Sequence, residues 1–486
     1  MSVFVAVLSL VLTQDDDDDY KNLVIIFAVN LRKDMSSCRL LVCVGGTTCL
    51  RNLQRSFSFS PKQTPEFKPR TALILSKLSK YDCEKSTGNH HNDDELKKSM
   101  KRKGFDDQIV ISRHKTHYAK LSELQNTLIG RGLEVRVVDR RTYSMDSVNW
   151  ADVVFTAGGD GTFLFGASKI LHPNKPVIGF NTDPLSSHGF LCLPKWCSSN
   201  VSTTIDLLLS NHFRWLLRRR IRVTLTHLKG ENLQMQPLDK RKPINRDGFE
   251  IGTSNYALDV SSCELFPPFC CSEDMTTTVL PVLALNEVFA GESLSACVSV
   301  YDISVDGAKS EKQKSSGIVI STGTGSTSWS LQINKIPKPN LMELLKTIRH
   351  IVPFLNTSQS EVLTSSSNCN VEQLNVTDQH QISNTSDAAY LELLTERAEA
   401  LHNKSLVFSP EDCKMLYSVR DPITNAIFNV TQPRGFASNL YVRSLMDEGH
   451  LVFDGGLTFP FVSGSIAKFT VSPSDSLCCV HFDLPY

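Results

Sequence analysis

The sequence predicts an α/β plus all-β protein: an N-terminal open, mostly parallel α/β sheet over residues 70–210 and a C-terminal β-rich sandwich domain over 211–486. Three observations predict it. In the first part, apolar runs alternate with helical patterns. One such run reaches the next through a glycine turn, Ala157-Gly158-Gly159-Asp160-Gly161-Thr162. Beyond about residue 215, short stretches alternate apolar and polar side chains with period two.

Taken in order, Thr71-Ala72-Leu73-Ile74-Leu75 is the first buried strand, followed by a polar and charged region that reaches His117. Its basic cluster, Lys97, Lys98, Lys101, Arg102 and Lys103, reads as a solvated surface. Leu121, Leu124 and Leu128 then recur at helical spacing up to Gly130, and Leu133-Glu134-Val135-Arg136-Val137-Val138 is the second strand. The strand 152–156, the glycine turn, a helix over 163–171 and the strand Pro176-Val177-Ile178-Gly179-Phe180 complete the alternation. Ligands of such sheets bind beyond the carboxyl ends of the strands, where Asp160 and Asn181 both fall. In the second part, the run 298–305 closed by Asp306-Gly307 signals a hairpin. Two tracts, near 261–278 and 356–387, read as polar surface insertions, and the run Arg214, Arg218, Arg219, Arg220 and Arg222 reads as a solvated face.

Composition narrows the function classes. The 486 residues carry 51 Lys+Arg and 51 Asp+Glu, so no global charge points to nucleic acid, and no run is long and apolar enough to span a membrane. The 14 Cys show no metal-ligand spacing, and no metal site is expected from them. Residues 1–69 read as a disordered leader with a transit peptide: from Met35 to Pro65 there is no acid, while Arg39, Arg51 and Arg55 stand among Ser, Leu and Phe, so Met35 is the expected start. Six Asn-x-Ser/Thr sites, among them Asn200 and Asn429, favour a secreted protein instead, although most lie in a polar tract.

Glycine has no Cβ, so Gly158, Gly159 and Gly161 let a polyphosphate approach the backbone N–H groups, with Thr162 beside them and one carboxylate, Asp160, next to the phosphates. Three more segments stand with the turn. Leu285-Asn286-Glu287-Val288 ends a strand with two side chains suited to ribose hydroxyls; Thr322-Gly323-Thr324-Gly325-Ser326 is a hydroxyl-rich loop; Phe453-Asp454-Gly455-Gly456 is a late turn. No Gly-x-x-x-x-Gly-Lys-Ser/Thr loop is present, so any ATP use relies on other machinery.

In this order the four segments resemble the NAD kinase family, most closely its animal mitochondrial branch. The similarity runs from about residue 70 to the C-terminus and takes in Pro176-Val177-Ile178-Gly179-Phe180-Asn181-Thr182-Asp183-Pro184 and Glu311-Lys312-Gln313-Lys314-Ser315-Ser316-Gly317. The resemblance implies a phosphofructokinase-like, Rossmann-type first domain and transfer of a phosphoryl group from ATP, with Mg²⁺ bridging the donor phosphates, to the 2′-hydroxyl of the adenosine ribose of NAD. It implies Asp160 as the catalytic residue, and Asn286 and Glu287 on the adenosine. It also implies Thr322, Gly323, Thr324, Gly325 and Ser326 along the dinucleotide site, with Asn181 and Asp454 at its edge. A mitochondrial matrix location and a homodimer follow from the same resemblance; nucleic acid and membrane are not expected partners. The loop departs from the commoner family pattern at Gly323 and Trp329, and Ser316 stands where an Asp often precedes it. Two alternatives use parts of the same set: a lipid kinase needs only the glycine turn, and a dinucleotide-binding sensor keeps the pocket without turnover.

Overall fold

A computed structural model describes residues 66–87, 93–184, 187–230, 233–237, 274–294, 296–351, 387–428 and 430–482, with the backbone of four strands nearer the N-terminus. Those strands, Val5–Ser9, Leu23–Ala28, Leu40–Val44 and Thr47–Thr48, pair antiparallel within a unit of their own, Met1–Pro65. This pairing differs from the disordered leader that composition predicts; the other residues of 1–65, and most of both expected polar insertions, lie outside the described residues. The strand Met275–Ala284 takes in the end of the first of those insertions.

From Glu66 onward the chain is one compact unit with two lobes. In the first, four parallel strands lie in the order Glu134–Val138, Thr71–Ser76, Val153–Ala157, Val177–Phe180. The last three are continuous apolar runs and are buried along nearly their whole length, as strands covered on both faces must be. Glu134–Val138 is one edge of the sheet, and its charged Glu134 and Arg136 are exposed. The leucine repeat belongs to a helix, Asp107–Gly130, whose first turn is capped by Asp106; burying Leu121, Leu124 and Leu128 each contributes roughly 1.5–3 kcal/mol.

The second lobe is a pair of antiparallel sheets. One runs Met275–Ala284, Ile221–Leu228, Ile466–Val471, Asn439–Ser444, Ser299–Val305, Glu311–Ser315; the other centres on Gly449–Phe453, Glu287–Glu292, Ile318–Ser321 and Met415–Val419. Their facing apolar residues, Val223, Val288, Ile320 and Phe469 among them, form one core. The expected hairpin is there: Ser299–Val305 turns back through Asp306 and Gly307, both at positive φ, into Glu311–Ser315.

Two strands beyond residue 210 pack on the first lobe. Arg214–Arg218 pairs with the last strand, Leu477–His481, and Leu216, Leu477 and Cys479 pack with Leu73 and Val154 of the parallel sheet. The arginine run is accordingly not a solvated face. Arg220 is fully buried and donates from Nε to the Asp475 carbonyl at 2.6 Å and from Nη1 to the carbonyls of Ala167 and Ile170. Arg222 forks onto the Asp475 carboxylate. A buried charge costs several kcal/mol unless it is compensated; here the carbonyls at the end of the helix Asp160–Ser168 and the neighbouring Asp475 supply that compensation.

Candidate active site

The glycine turn lies at the carboxyl end of a central parallel strand, and its last residues open the helix Asp160–Ser168. None of Gly158, Gly159 and Gly161 has positive φ, so the need for glycine here is spatial. A Cβ on Gly158 would collide with the Thr162 side chain, whereas a Cβ on Gly161 would meet nothing within 4 Å. The first glycine is required by the fold. The third leaves an opening.

Asp160 is half-buried. Its Oδ1 accepts the Leu191 N–H at 2.8 Å and its Oδ2 the Phe190 N–H at 3.1 Å, so a loop following the fourth strand clamps the carboxylate. A carboxylate has about four lone-pair sites, and two remain for an incoming hydroxyl.

In the second lobe, Asp454 sits at φ 48° in the turn after Gly449–Phe453 and turns its carboxylate inward. Oδ1 accepts the N–H groups of Asn286 and Glu287 at 2.7 and 3.1 Å, and Oδ2 that of Leu285 at 2.8 Å. Burial pushes its carboxyl up to about 6 against the pull of those donors. Glu287, with 7% exposure, is pushed up to about 8, first by burial and then by Asp454. The Asn286 amide donates to Ser328 Oγ at 3.1 Å, yet Asn286 Oδ1 and Glu287 Oε2 are buried with no hydrogen-bond partner among the described residues. Leaving such an acceptor unpaired costs about 1–3 kcal/mol, which a ligand donor removes.

The loop at 322–326 is built against the same strand end. Thr322 Oγ1 donates to the Leu285 carbonyl at 2.6 Å, and Ser326 Oγ to the Gly323 carbonyl at 2.6 Å. A Cβ on Gly325 would strike the Asn286 carbonyl, and one on Gly323 the Ser409 carbonyl. Thr324 Oγ1 accepts from Arg218 Nη1 at 3.3 Å.

Three cavities meet around these groups. One of about 450 Å³ joins Gly159, Gly161 and Thr162 to Asp454 and Gly455; one of about 550 Å³ joins Phe190 and Leu191, the residues that hold Asp160, to Gly323, Thr324 and Arg218; one of about 770 Å³ is lined by Glu287, Trp329 and Gly455. The two lobes thus face each other across the cavity between Gly159, Gly161 and Thr162 on one side and Asp454 and Gly455 on the other. Not every expected side chain turns outward. Thr322, Ser326 and Asp454 are spent within the second lobe, and Asn181 donates to Ser187 and accepts from the Asp183 N–H, so it shapes its own loop and offers no free edge to a ligand. Lys77, Arg140, Phe190 and Arg218 line the cavities and were not singled out as site residues by sequence. For Lys77 a signal existed, since it directly follows a parallel strand, where ligands bind.

Among the described residues no group of three or more His, Cys, Asp or Glu could hold a metal ion, and no helix is long and apolar enough to cross a membrane. No family model matches the chain. It is 34% identical over 413 residues to the human protein NAD kinase 2, mitochondrial, covering 85% of this chain and 84% of that protein. With its Xenopus tropicalis counterpart it is 34% identical over 475 residues, covering 92% and 100%. A crystal structure of yeast NADH kinase complexed with NADH overlays at a TM-score of 0.43 and 14% identity, covering 85% of this chain and 84% of that one. Identity of 34% over 85% or more of the chain and most of each relative shows that the chain belongs to the NAD kinase family.

Proposed function

We infer that the chain is an NAD kinase that moves the γ-phosphoryl group of ATP to the 2′-hydroxyl of the adenosine ribose of NAD. The observation that carries this reading is the pair of buried, unpartnered acceptors, Asn286 Oδ1 and Glu287 Oε2, on the strand end held by Asp454, which itself lines a cavity with Gly159, Gly161 and Thr162 of the glycine turn. Ribose hydroxyls and an adenine amino group are the donors such acceptors lack. The 2′-oxygen forms the new bond to phosphorus while the bond from phosphorus to the bridging oxygen of ADP breaks. The hydroxyl proton passes to the Asp160 carboxylate. An Asp is a weak base at neutral pH, but a loose transition state asks little deprotonation until late, so the two backbone donors that fix Asp160 serve orientation first.

Mg²⁺ would be carried on the donor phosphates, where it would neutralise phosphate charge while Gly159, Gly161 and Thr162 line the cavity for those phosphates. Action in the mitochondrial matrix and assembly as a homodimer are part of the same proposal; the names of the mitochondrial relatives and the acid-free stretch 35–65 support the location.

The test is purified full-length chain with NAD, ATP and Mg²⁺, followed with an NADP-specific dehydrogenase. NADP should accumulate. Binding of NAD without NADP would select the sensor, and phosphorylation of a diacylglycerol or sphingoid base in its place would select the lipid kinase.

A further inference from the structure

The carboxyl ends of three neighbouring parallel strands converge on the cavity beside the glycine turn. Ser76 ends one strand and Lys77 follows it; the Lys77 N–H donates to the Ala157 carbonyl at 2.9 Å, which sets the lysine alongside Gly158. Arg140 follows Glu134–Val138 on the other side, its guanidinium over the Phe165 ring at 4.2 Å. Lys77, Arg140, Gly159, Gly161 and Thr162 all line the same cavity of about 450 Å³. Nothing in the reading above gives a role to either cation.

We propose that Lys77 is the donor-binding cation of this enzyme, holding the terminal phosphates of ATP against the backbone of Gly159 and Gly161 with Arg140 at the cavity's outer side. The proposal rests on the NAD kinase reading and assigns its donor side. Lys77 is half-buried and forms no side-chain hydrogen bond or ion pair among the described residues; burial holds its ammonium below the usual lysine range. One carboxylate, Asp183, acts on it, and that carboxylate is shared with Arg113, 3.9 Å away. The lysine is therefore a cation whose water has been partly removed and whose nearest carboxylate, Asp183, is shared with a second cation. The helix that begins at Asp160 has no side-chain cap, its Gly161 and Thr162 line the same cavity, and the open side of Gly161 leaves room there for an oxygen. A desolvated lysine, a second cation and uncapped N–H groups around one cavity are the chemistry of a polyphosphate site, and neither unpartnered acceptor, Asn286 or Glu287, lines that cavity.

The test compares the full-length wild-type chain with Lys77→Met and Lys77→Arg. Removing one charge-assisted contact to phosphate should raise the KM for ATP roughly ten- to hundredfold while the KM for NAD stays within about twofold, with Arg recovering most of the loss. In parallel, inorganic tripolyphosphate should raise the melting temperature of the wild type and not that of Lys77→Met. A KM for ATP unchanged in Lys77→Met, or an equal rise for both substrates, overturns the proposal. If the wild type makes no NADP, the NAD kinase reading falls by itself, and the tripolyphosphate shift still decides whether Lys77 holds phosphate.

Discussion

Asp454 holds Asn286 by the backbone: the buried carboxylate accepts the Asn286 N–H at 2.7 Å, with those of Leu285 and Glu287 alongside. One turn residue thereby fixes the strand end that carries both unpartnered acceptors. It also places the Glu287 carboxyl next to a second buried acid.

That juxtaposition makes stability depend on pH. Burial raises Glu287 to about 8 and Asp454 to about 6, above their ordinary values. The unfolded chain gives up these protons first, so the native state binds more of them and stability falls as pH rises from the ordinary carboxylate range through about 8, levelling off beyond it. Glu287→Gln, which cannot ionise, should flatten that fall and be more stable than the wild type at pH 8 by an amount of order 1–4 kcal/mol. Denaturant unfolding of both proteins between pH 5 and 9 measures it; parallel curves would show that Glu287 is not held protonated.

Glycines of one turn should behave in opposite ways. Gly158→Ala drives a methyl into Thr162 and should cost about 1–3 kcal/mol of stability. Gly161→Ala meets open space, so its melting temperature should match the wild type while turnover falls, because the methyl occupies the room left for phosphate. Melting curves and NADP formation for the two variants separate fold from ligand. Equal loss of stability in both would mean that the opening at Gly161 is not a ligand's.

Arg220 joins the lobes through the far end of the helix Asp160–Ser168. Arg220→Met leaves the carbonyls of Ala167, Ile170 and Asp475 without that donor and should destabilise the chain by about 3–5 kcal/mol, with Arg220→Lys recovering part. Chemical denaturation reads the effect. A change under about 1 kcal/mol would mean that water replaces the guanidinium easily.

How much of this was legible depends on the kind of signal each part carries. The parallel strands were readable because burial on both faces demands unbroken apolar runs, and Leu73 to Leu75 or Val153 to Phe155 have no other use. The hairpin at Asp306-Gly307 was readable from its turn chemistry, and both residues do take positive φ. Long-range pairing left no such trace. Nothing local in Leu477–His481 says that it returns to Arg214–Arg218, so five arginines were taken for a solvated face although Arg220 has no exposure.

At the site, residue types were legible and directions were not. Asn286, Glu287 and Asp160 were marked by chemistry that suits a ribose and a phosphoryl group. Whether a polar side chain faces a ligand or its own backbone is settled by packing: Asp454 and Asn181 have the same polarity as their neighbours, yet both are consumed by N–H groups nearby. Phe190 escaped notice because an aromatic residue usually reads as core, and this one is 60% exposed while its N–H holds Asp160.

The central claim is that Asp160 orients and deprotonates the accepting hydroxyl, and Asp160→Asn tests it most directly. The change keeps the volume, and with it the contacts of one oxygen, but removes the carboxylate. Initial rates of NADP formation at saturating NAD and ATP should fall by about a hundredfold or more, with NAD binding and melting temperature close to those of the wild type. A variant that turns over at the wild-type rate would contradict the account.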